Sequence, residues 1–282
     1  MVYKNCKLVA EIGCVHAGSA LRAIRLVNLA AGSGADCVKF QKRNPHLSTP
    51  EHLKNEAHPN PHFAYGETYL QHRINLELTI EDHIAIKNAC DTMRVKYGCS
   101  VWDIDSARDI IGLKPYLLKI PSACNLNYNL IEYCLDNHEG DLHVSLGMTS
   151  LIQRESLYRK YISEKDRIIF YHCVSEYPCP FERMQLLGIS EIIEAGFRAG
   201  FSNHGYGIAC DIAAMVLGAE YDERHFIDDR TFRHTDAAAS LEPEGLRKLR
   251  RDFDAVHMAL KNKEDMTEEE RLQANKLKSS NA

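Results

Sequence analysis

Two lysines sit inside otherwise apolar runs, Lys39 in CVKF and Lys119 in LLKI. Burying an ammonium group is costly unless an anion meets it. A phosphate or carboxylate ligand would be such an anion, and Ser122, Ser145 and Ser202 offer hydroxyl donors to it. His204 and His225 close two successive apolar segments and together can hold a divalent metal. Neutral imidazoles with few carboxylates suit Mn2+, Fe2+, Co2+ or Zn2+ better than Ca2+ or Mg2+. Other polar groups where apolar runs end are Glu11 and His16, Gln41, Trp102 and Asp103, His172, Ser175 and Tyr177, Asn203, and Glu223, Arg224, Asp228 and Asp229.

Each has a plainer reading. A strand lysine can be an edge or snorkelling residue, and a serine can cap a helix. Two such lysines in separate apolar runs, both near the carboxyl ends, favour chemistry. His46, His52, His58, His62, His72, His83, His138, His143 and His257 are expected to be satisfied core or surface residues; His234, near Asp236, is undecided. Cys124, Cys173 and Cys179 show no Cys–His–Asn order, so a cysteine nucleophile is not expected.

The elements that must position these groups alternate regularly. Apolar runs at 7–13, 35–41, 97–102, 116–122, 142–147, 167–173, 197–202 and 220–227 predict strands. Helical patterns lie between them: one capped by Ser19, one capped by Thr79, then 105–113, 127–137, 152–162, 184–195, 208–217 and 243–260. Residues 44–76, with Pro45, Pro50, Pro59 and Pro61, break the rhythm and are expected to form a functional loop or lid. Near-continuous apolar strands alternating with helices imply a parallel sheet buried on both faces. Eight units favour an α/β fold of the (β/α)8 TIM barrel type, a single domain over 1–260 with a charged tail at 261–282. An open doubly wound sheet is the alternative, but no GxGxxG follows the first strand. In such a barrel the chemistry lies at the carboxyl ends of the strands.

Composition agrees. The 282 residues are 45% hydrophobic and 26% charged, which excludes disordered, collagenous and coiled-coil chains. A formal charge of −5 gives no reason to expect nucleic acid. No run reaches the roughly 18 apolar residues of a membrane span, and residues 1–7 lack the apolar core of a signal peptide. Ten cysteines without a CxxC pair read as reduced, buried thiols of a cytoplasmic protein.

The motifs then resemble a known family. AEIGCVHAG at 10–18, GADCVKFQ at 34–41, KIPS at 119–122, SLGM at 145–148, His172-Cys173 with Tyr177-Pro178, SNH at 202–204 and ERHF at 223–226 follow in order. They resemble the N-acetylneuraminate (sialic acid) synthases and their legionaminate and pseudaminate relatives. The resemblance implies a barrel condensing phosphoenolpyruvate with the open-chain aldehyde of an N-acetylhexosamine-like aldose, releasing phosphate. It implies Mn2+ on His204 and His225, and phosphoenolpyruvate held by Lys39, Lys119, Ser122, Ser145, Ser175 and Ser202. It implies Glu11 as base or water-orienting group, and a homodimer. The expected sugar contacts are Gln41, Tyr177, Asn203, Arg224 and Asp228.

Several positions depart from the family pattern: Val15 for Asn, Leu146 for Thr, Asn203 for Asp, Arg224 for Lys, and Ala123-Cys124 for Gly and an acidic or polar residue. Asn203 is expected to remove a carboxylate beside the metal, and Cys124 to alter the region of the intermediate. The family's C-terminal antifreeze-like domain has no counterpart in these 282 residues. Segment 44–76 is therefore expected to help cover the site. Two alternatives stay open, a non-catalytic sugar- or phosphate-binding barrel and a Schiff-base aldolase or lyase on a free lysine.

Overall fold

The structure, a computed structural model, describes residues 6–278; positions 1–5, where no signal peptide is expected, and 279–282 of the expected charged tail lie outside the described residues. Eight strands close into a parallel barrel in chain order. They are β1 (Lys7–Gly13), β2 (Cys37–Lys42), β3 (Lys96–Val101), β4 (Leu117–Ile120), β5 (Leu142–Ser145), β6 (Ile168–Cys173), β7 (Arg198–Asn203) and β8 (Tyr221–His225). The seam pairs β1 with β8 from Lys7↔Tyr221 to Glu11↔His225, which rules out the open sheet.

Side-chain alternation along each strand divides the barrel into two environments. Leu8, Ala10, Ile12, Val38, Phe40, Leu118 and Ile120 join the large core between strands and helices. Val9, Cys37, Leu117, Ile169, Tyr171 and Tyr221 form a separate inner cluster, an apolar floor across the barrel. Two residues further along four of these strands come Glu11, Lys39, Lys119 and Glu223, all buried. The interior is thus apolar at the amino end and charged at the carboxyl end.

Helices α1 (Ala20–Gly32), α4 (Ile80–Thr92), α5 (Ile104–Gly112), α6 (Tyr128–Asn137), α7 (Leu151–Lys160), α8 (Gly188–Glu194), α9 (Ala209–Val216) and α10 (Pro243–Ala259) cover the outside. The expected caps form: Ser19 accepts from Arg22 N–H, and Thr79 makes a reciprocal capping box with Asp82. Helix α8 starts later than its pattern predicts. Gln185 adopts φ 49°, which a right-handed helix cannot run through.

Segment 44–76 is structured. It holds α2 (Pro45–Ser48), single turns at Glu51–Leu53 and Pro61–Phe63, and α3 (Tyr69–Leu76). A clip fastens it to the loop after β8: Tyr65 Oη donates to Arg233 O at 2.9 Å, and the Arg233 guanidinium donates to Ala64 O. At its base, Gly18 takes φ 74° where a Cβ would lie 2.3 Å from Asn75 O, so glycine is required there. The charged tail contains an exposed helix, α11 (Glu268–Leu277), with a Thr267–Glu270 capping box. Among the described residues no helix is long and apolar enough to cross a membrane.

Candidate active site

A cavity of about 710 Å³ opens at the carboxyl ends of the strands. Four buried charges form its floor. Lys39 Nζ lies 2.5 Å from Glu11 Oε2 and 3.7 Å from Glu223 Oε1, and donates to Ser100 Oγ at 2.7 Å. Lys119 Nζ donates to Glu223 Oε2 at 2.8 Å and sits 4.1 Å above the Tyr171 ring centroid. Ser202 Oγ donates to Glu223 Oε1 at 3.2 Å, and Gln41 Nε2 to Glu11 Oε1 at 2.8 Å. The lysines therefore already have protein counter-anions. Any bound anion must share or displace them.

The two carboxylates are driven apart. Burial pushes both up, but Lys119 and Lys39 outweigh it at Glu223 and hold that carboxyl well below its usual range. At Glu11 burial prevails over Lys39, and the neighbouring Glu223 charge adds to it, so its carboxyl is raised. One group stays anionic while the other is ready to take a proton, the division of labour that acid–base chemistry needs. Lys39 is raised by Glu11 and Glu223 despite burial. Lys119, buried and sharing one carboxylate with Lys39, is lowered.

The serines gather around the turn after β5. A Cβ on Gly147 would lie 2.4 Å from Ser175 Oγ and 2.6 Å from Ser122 Oγ, so these hydroxyls converge on the bare glycine. Asn125 Nδ2 holds the turn by donating to Ser145 O and Gly147 O, both at 2.9 Å. Ser122, Ser145, Ser175, Ser202 and both lysines face one cavity.

The two imidazoles stand beside this anion cradle, with His204 and His225 ring centroids 5.4 Å apart. Tyr177 lies against them, 4.0 Å from the His204 ring. His204 Nδ1 donates to Val174 O at 2.9 Å and lies 3.9 Å from the Cys173 sulfur, which raises its proton affinity despite burial; in the neutral ring the Nε2 lone pair is free. His225 Nδ1 is buried without a hydrogen-bond partner, and Asp236 Oδ2 is 3.7 Å away. Burial outweighs Asp236 and pushes His225 down to about 4, so it is neutral at pH 7. A buried, unpartnered, neutral imidazole nitrogen beside a second free nitrogen fits a borderline divalent metal. Among the described residues no group of three His, Cys, Asp or Glu is arranged to hold one, so water or substrate oxygens would complete the shell.

Glu11, Lys39, Gln41, Lys119, Ser122, Ser145, Ser175, Tyr177, Ser202, His204 and His225 all line the cavity. Three expected sugar contacts do not. Asn203 and Arg224 alternate with the inward Ser202, His204, Glu223 and His225, so they point outward toward α9. Asn203 Nδ2 donates to Asp211 Oδ1 at 2.9 Å. Arg224 pairs with Asp211 at 3.1 Å and donates to Gly205 O and Gly207 O, anchoring the loop behind His204. Asn203 therefore takes no carboxylate away from the cavity side of β7. Asp228 is bound to Arg22 at 2.6 Å, outside the cavity. Cys124 also lies off the cavity wall, its thiol donating to Trp102 O at 3.4 Å.

Ser100, Asp236 and Glu223 also line the cavity, and no motif or spacing in the sequence assigns them a role. Strand parity could have found Glu223 and Ser100, which share the inward face with Lys39. His58 and His72, expected to be satisfied core or surface residues, instead line the cavity with Arg43, Arg73 and His234. His83 and His143 are core residues as expected, bonded through Nδ1 to Tyr97 Oη (2.8 Å) and Tyr171 Oη (2.9 Å).

Known proteins share this arrangement of sequence and fold. The chain is 29% identical over 257 residues to human N-acetylneuraminate-9-phosphate synthase, covering 90% of this chain and 71% of that one. It is 29% identical over 250 residues to Campylobacter jejuni N,N'-diacetyllegionaminic acid synthase, covering 87% and 75%. The crystal structure of the Leptospira borgpetersenii N-acetylneuraminic acid synthetase has the same fold, with TM-score 0.81, 24% identity, and coverage of 97% and 93%. The NeuB family model matches residues 26–265. The chain belongs to the NeuB family.

Proposed function

We propose that this enzyme condenses phosphoenolpyruvate with the open-chain aldehyde of an N-acetylated aldose, giving a nonulosonic-acid-type 2-keto sugar acid and inorganic phosphate. The observation that carries this reading is the union, in one cavity, of a two-lysine, four-serine anion cradle with a pair of metal-competent histidines.

Lys39, Lys119 and the serines around Gly147 neutralise the phosphate and carboxylate of phosphoenolpyruvate and hold its C3 toward the histidines. His204 and His225 would hold Mn2+, which when bound would supply Lewis-acid polarisation of the acceptor's carbonyl oxygen. C3 forms the new bond to the aldehyde carbon, and that carbon's oxygen takes a proton. Positive charge develops at C2, where water adds. Glu11, with its raised proton affinity, orients that water and accepts its proton. The resulting hemiketal phosphate collapses with cleavage of its C2–O bond, leaving the ketone and free phosphate. Glu223 stays anionic between the lysines and fixes both ammonium groups. A Schiff base on Lys119 would first have to break its 2.8 Å contact with Glu223.

The test is phosphate release from phosphoenolpyruvate with Mn2+ across a panel of aldoses, with the 2-keto acid product measured in parallel. Equal yields of phosphate and keto acid are expected. A folded protein that releases no phosphate with any acceptor refutes the reading. A pyruvate imine trapped on Lys119 by borohydride would replace it with the aldolase reading.

A further inference from the structure

The outer half of the cavity carries positive charge that the condensation itself does not use. Arg43 and Arg73 line it, together with His58, His72 and His234. Arg43 is buried, stacks 3.8 Å from the centroid of Trp102, and places Nε 3.2 Å from Glu77 Oε1. That same carboxylate also faces Lys42 Nζ at 3.8 Å, so one anion serves two cations. Arg73, half-buried on α3, donates to Tyr69 Oη at 2.6 Å. Among the described residues no carboxylate pairs with it.

The neighbouring imidazoles can act as donors, although Asp236 Oδ2 stands 3.7 Å from His234 Nδ1. His72 Nδ1 accepts Tyr65 N–H at 3.1 Å, and His234 Nδ1 accepts Asp236 N–H at 3.1 Å. Each neutral ring therefore carries its proton on Nε2. A guanidinium that pairs directly with no carboxylate and shares the more distant Glu77 with Arg43 and Lys42 is poorly compensated at a cavity wall, and a tetrahedral dianion accepts from guanidinium forks and imidazole N–H groups together.

The inner lysines are occupied by phosphoenolpyruvate in the reading above, on which this inference rests for the position of the acceptor's aldehyde. The acceptor's other end then faces the outer wall. We propose that Arg73, with Arg43 and the Nε2–H donors of His72 and His234, forms a subsite for a phosphate ester on the acceptor sugar at the end remote from its aldehyde. Family membership leaves this open, since members are named for both phosphorylated and unphosphorylated products.

The test uses open-chain probes that cannot react: an N-acetylhexosaminitol 6-phosphate, its unphosphorylated form, and the matching terminal carboxylic acid. Each is titrated calorimetrically into the full chain with Mn2+, with and without saturating phosphoenolpyruvate. The phosphorylated alditol is expected to bind about 10- to 100-fold tighter than the unphosphorylated one, the range for a charged hydrogen-bonded contact. In Arg73→Gln that ratio should fall to within about threefold, and Arg73→Lys should restore part of it. Equal affinity of the two alditols for the wild-type protein, or a ratio that survives Arg73→Gln, overturns the subsite. A carboxylic acid that binds as tightly as the phosphate overturns the assignment to phosphate. Binding is read without turnover, so absence of phosphate release would refute the condensation reading and leave the subsite result standing.

Discussion

Lys119 and Glu223 offer the sharpest test of the charged floor. Their contact is 2.8 Å with both side chains almost fully buried. At an effective dielectric of about 20 the attraction is about 6 kcal/mol, set against a desolvation penalty of several kcal/mol for each ion. Lys119→Met keeps the chain packed on Tyr171 but strips the charge. Glu223 then retains Lys39 at 3.7 Å, an ammonium already committed to Glu11 at 2.5 Å. Breaking a buried pair costs about 3–5 kcal/mol, and the surviving Lys39 places the expected loss near about 3 kcal/mol. Glu223→Gln leaves Lys119 unpaired; that lysine sheds its proton more easily, so the expected loss is nearer about 2 kcal/mol. In the double variant both partners are neutral, and its stability should recover toward wild type, with a coupling of at least about 2 kcal/mol. Urea unfolding at pH 7 measures all four proteins. Losses that add to within about 0.5 kcal/mol would refute the coupled floor. Phosphate release should be lost in all three variants, because each disturbs the cradle.

Four further outcomes are expected. His204→Ala and His225→Ala should each lose Mn2+ retention after desalting; unchanged metal content by elemental analysis in both would remove the metal assignment. Gly147→Ala should displace the Ser122 and Ser175 hydroxyls and lower kcat/KM for phosphoenolpyruvate at least tenfold, roughly the worth of one charged hydrogen bond; wild-type kinetics would show that those hydroxyls do not hold substrate. Glu11→Gln should lower kcat at least about 100-fold, the smaller end of what a positioned general base contributes; a kcat within about threefold of wild type would remove that role. Acid should destabilise the fold: burial holds His16 and His225 down to about 4 and His83 to about 3, so the unfolded chain binds more protons between pH 6.5 and 4. Stability is therefore full above about pH 6.5 and falls by about 2 kcal/mol per such histidine by pH 5; an unchanged urea midpoint at pH 5 would contradict it.

The barrel was legible because near-continuous apolar strands and capped helices alternate along the chain, and because Ser19 and Thr79 carry their caps locally. The cradle was legible because lysine inside an apolar strand is unusual enough to stand out. What misled the site assignment was treating strand ends as clusters instead of alternating faces. Ser202, His204, Glu223 and His225 point inward, so Asn203 and Arg224 between them must point outward. The counter-anions of the lysines were hidden for another reason. Glu11 stands beside Lys39 in the β1–β2 register, but Glu223 reaches the lysines only across the closed ring. Asp228 follows the same logic, since its partner Arg22 is 206 positions away. Nor does the spacing of His58, His72 and Arg73 reveal which way their segment faces.

The clip between Tyr65 and Arg233 joins residues 168 positions apart. Its two halves flank β2 and follow β8, strands that reach each other only through the β1–β8 seam. Contacts of such long sequence separation carry a large loop-closure cost and are made late in folding. The roof of the cavity is consequently a record of completed assembly. A partial barrel lacking its last strand would display the lysines of β2 and β4 with neither Glu223 nor a fastened roof, so the working site exists only in the closed ring.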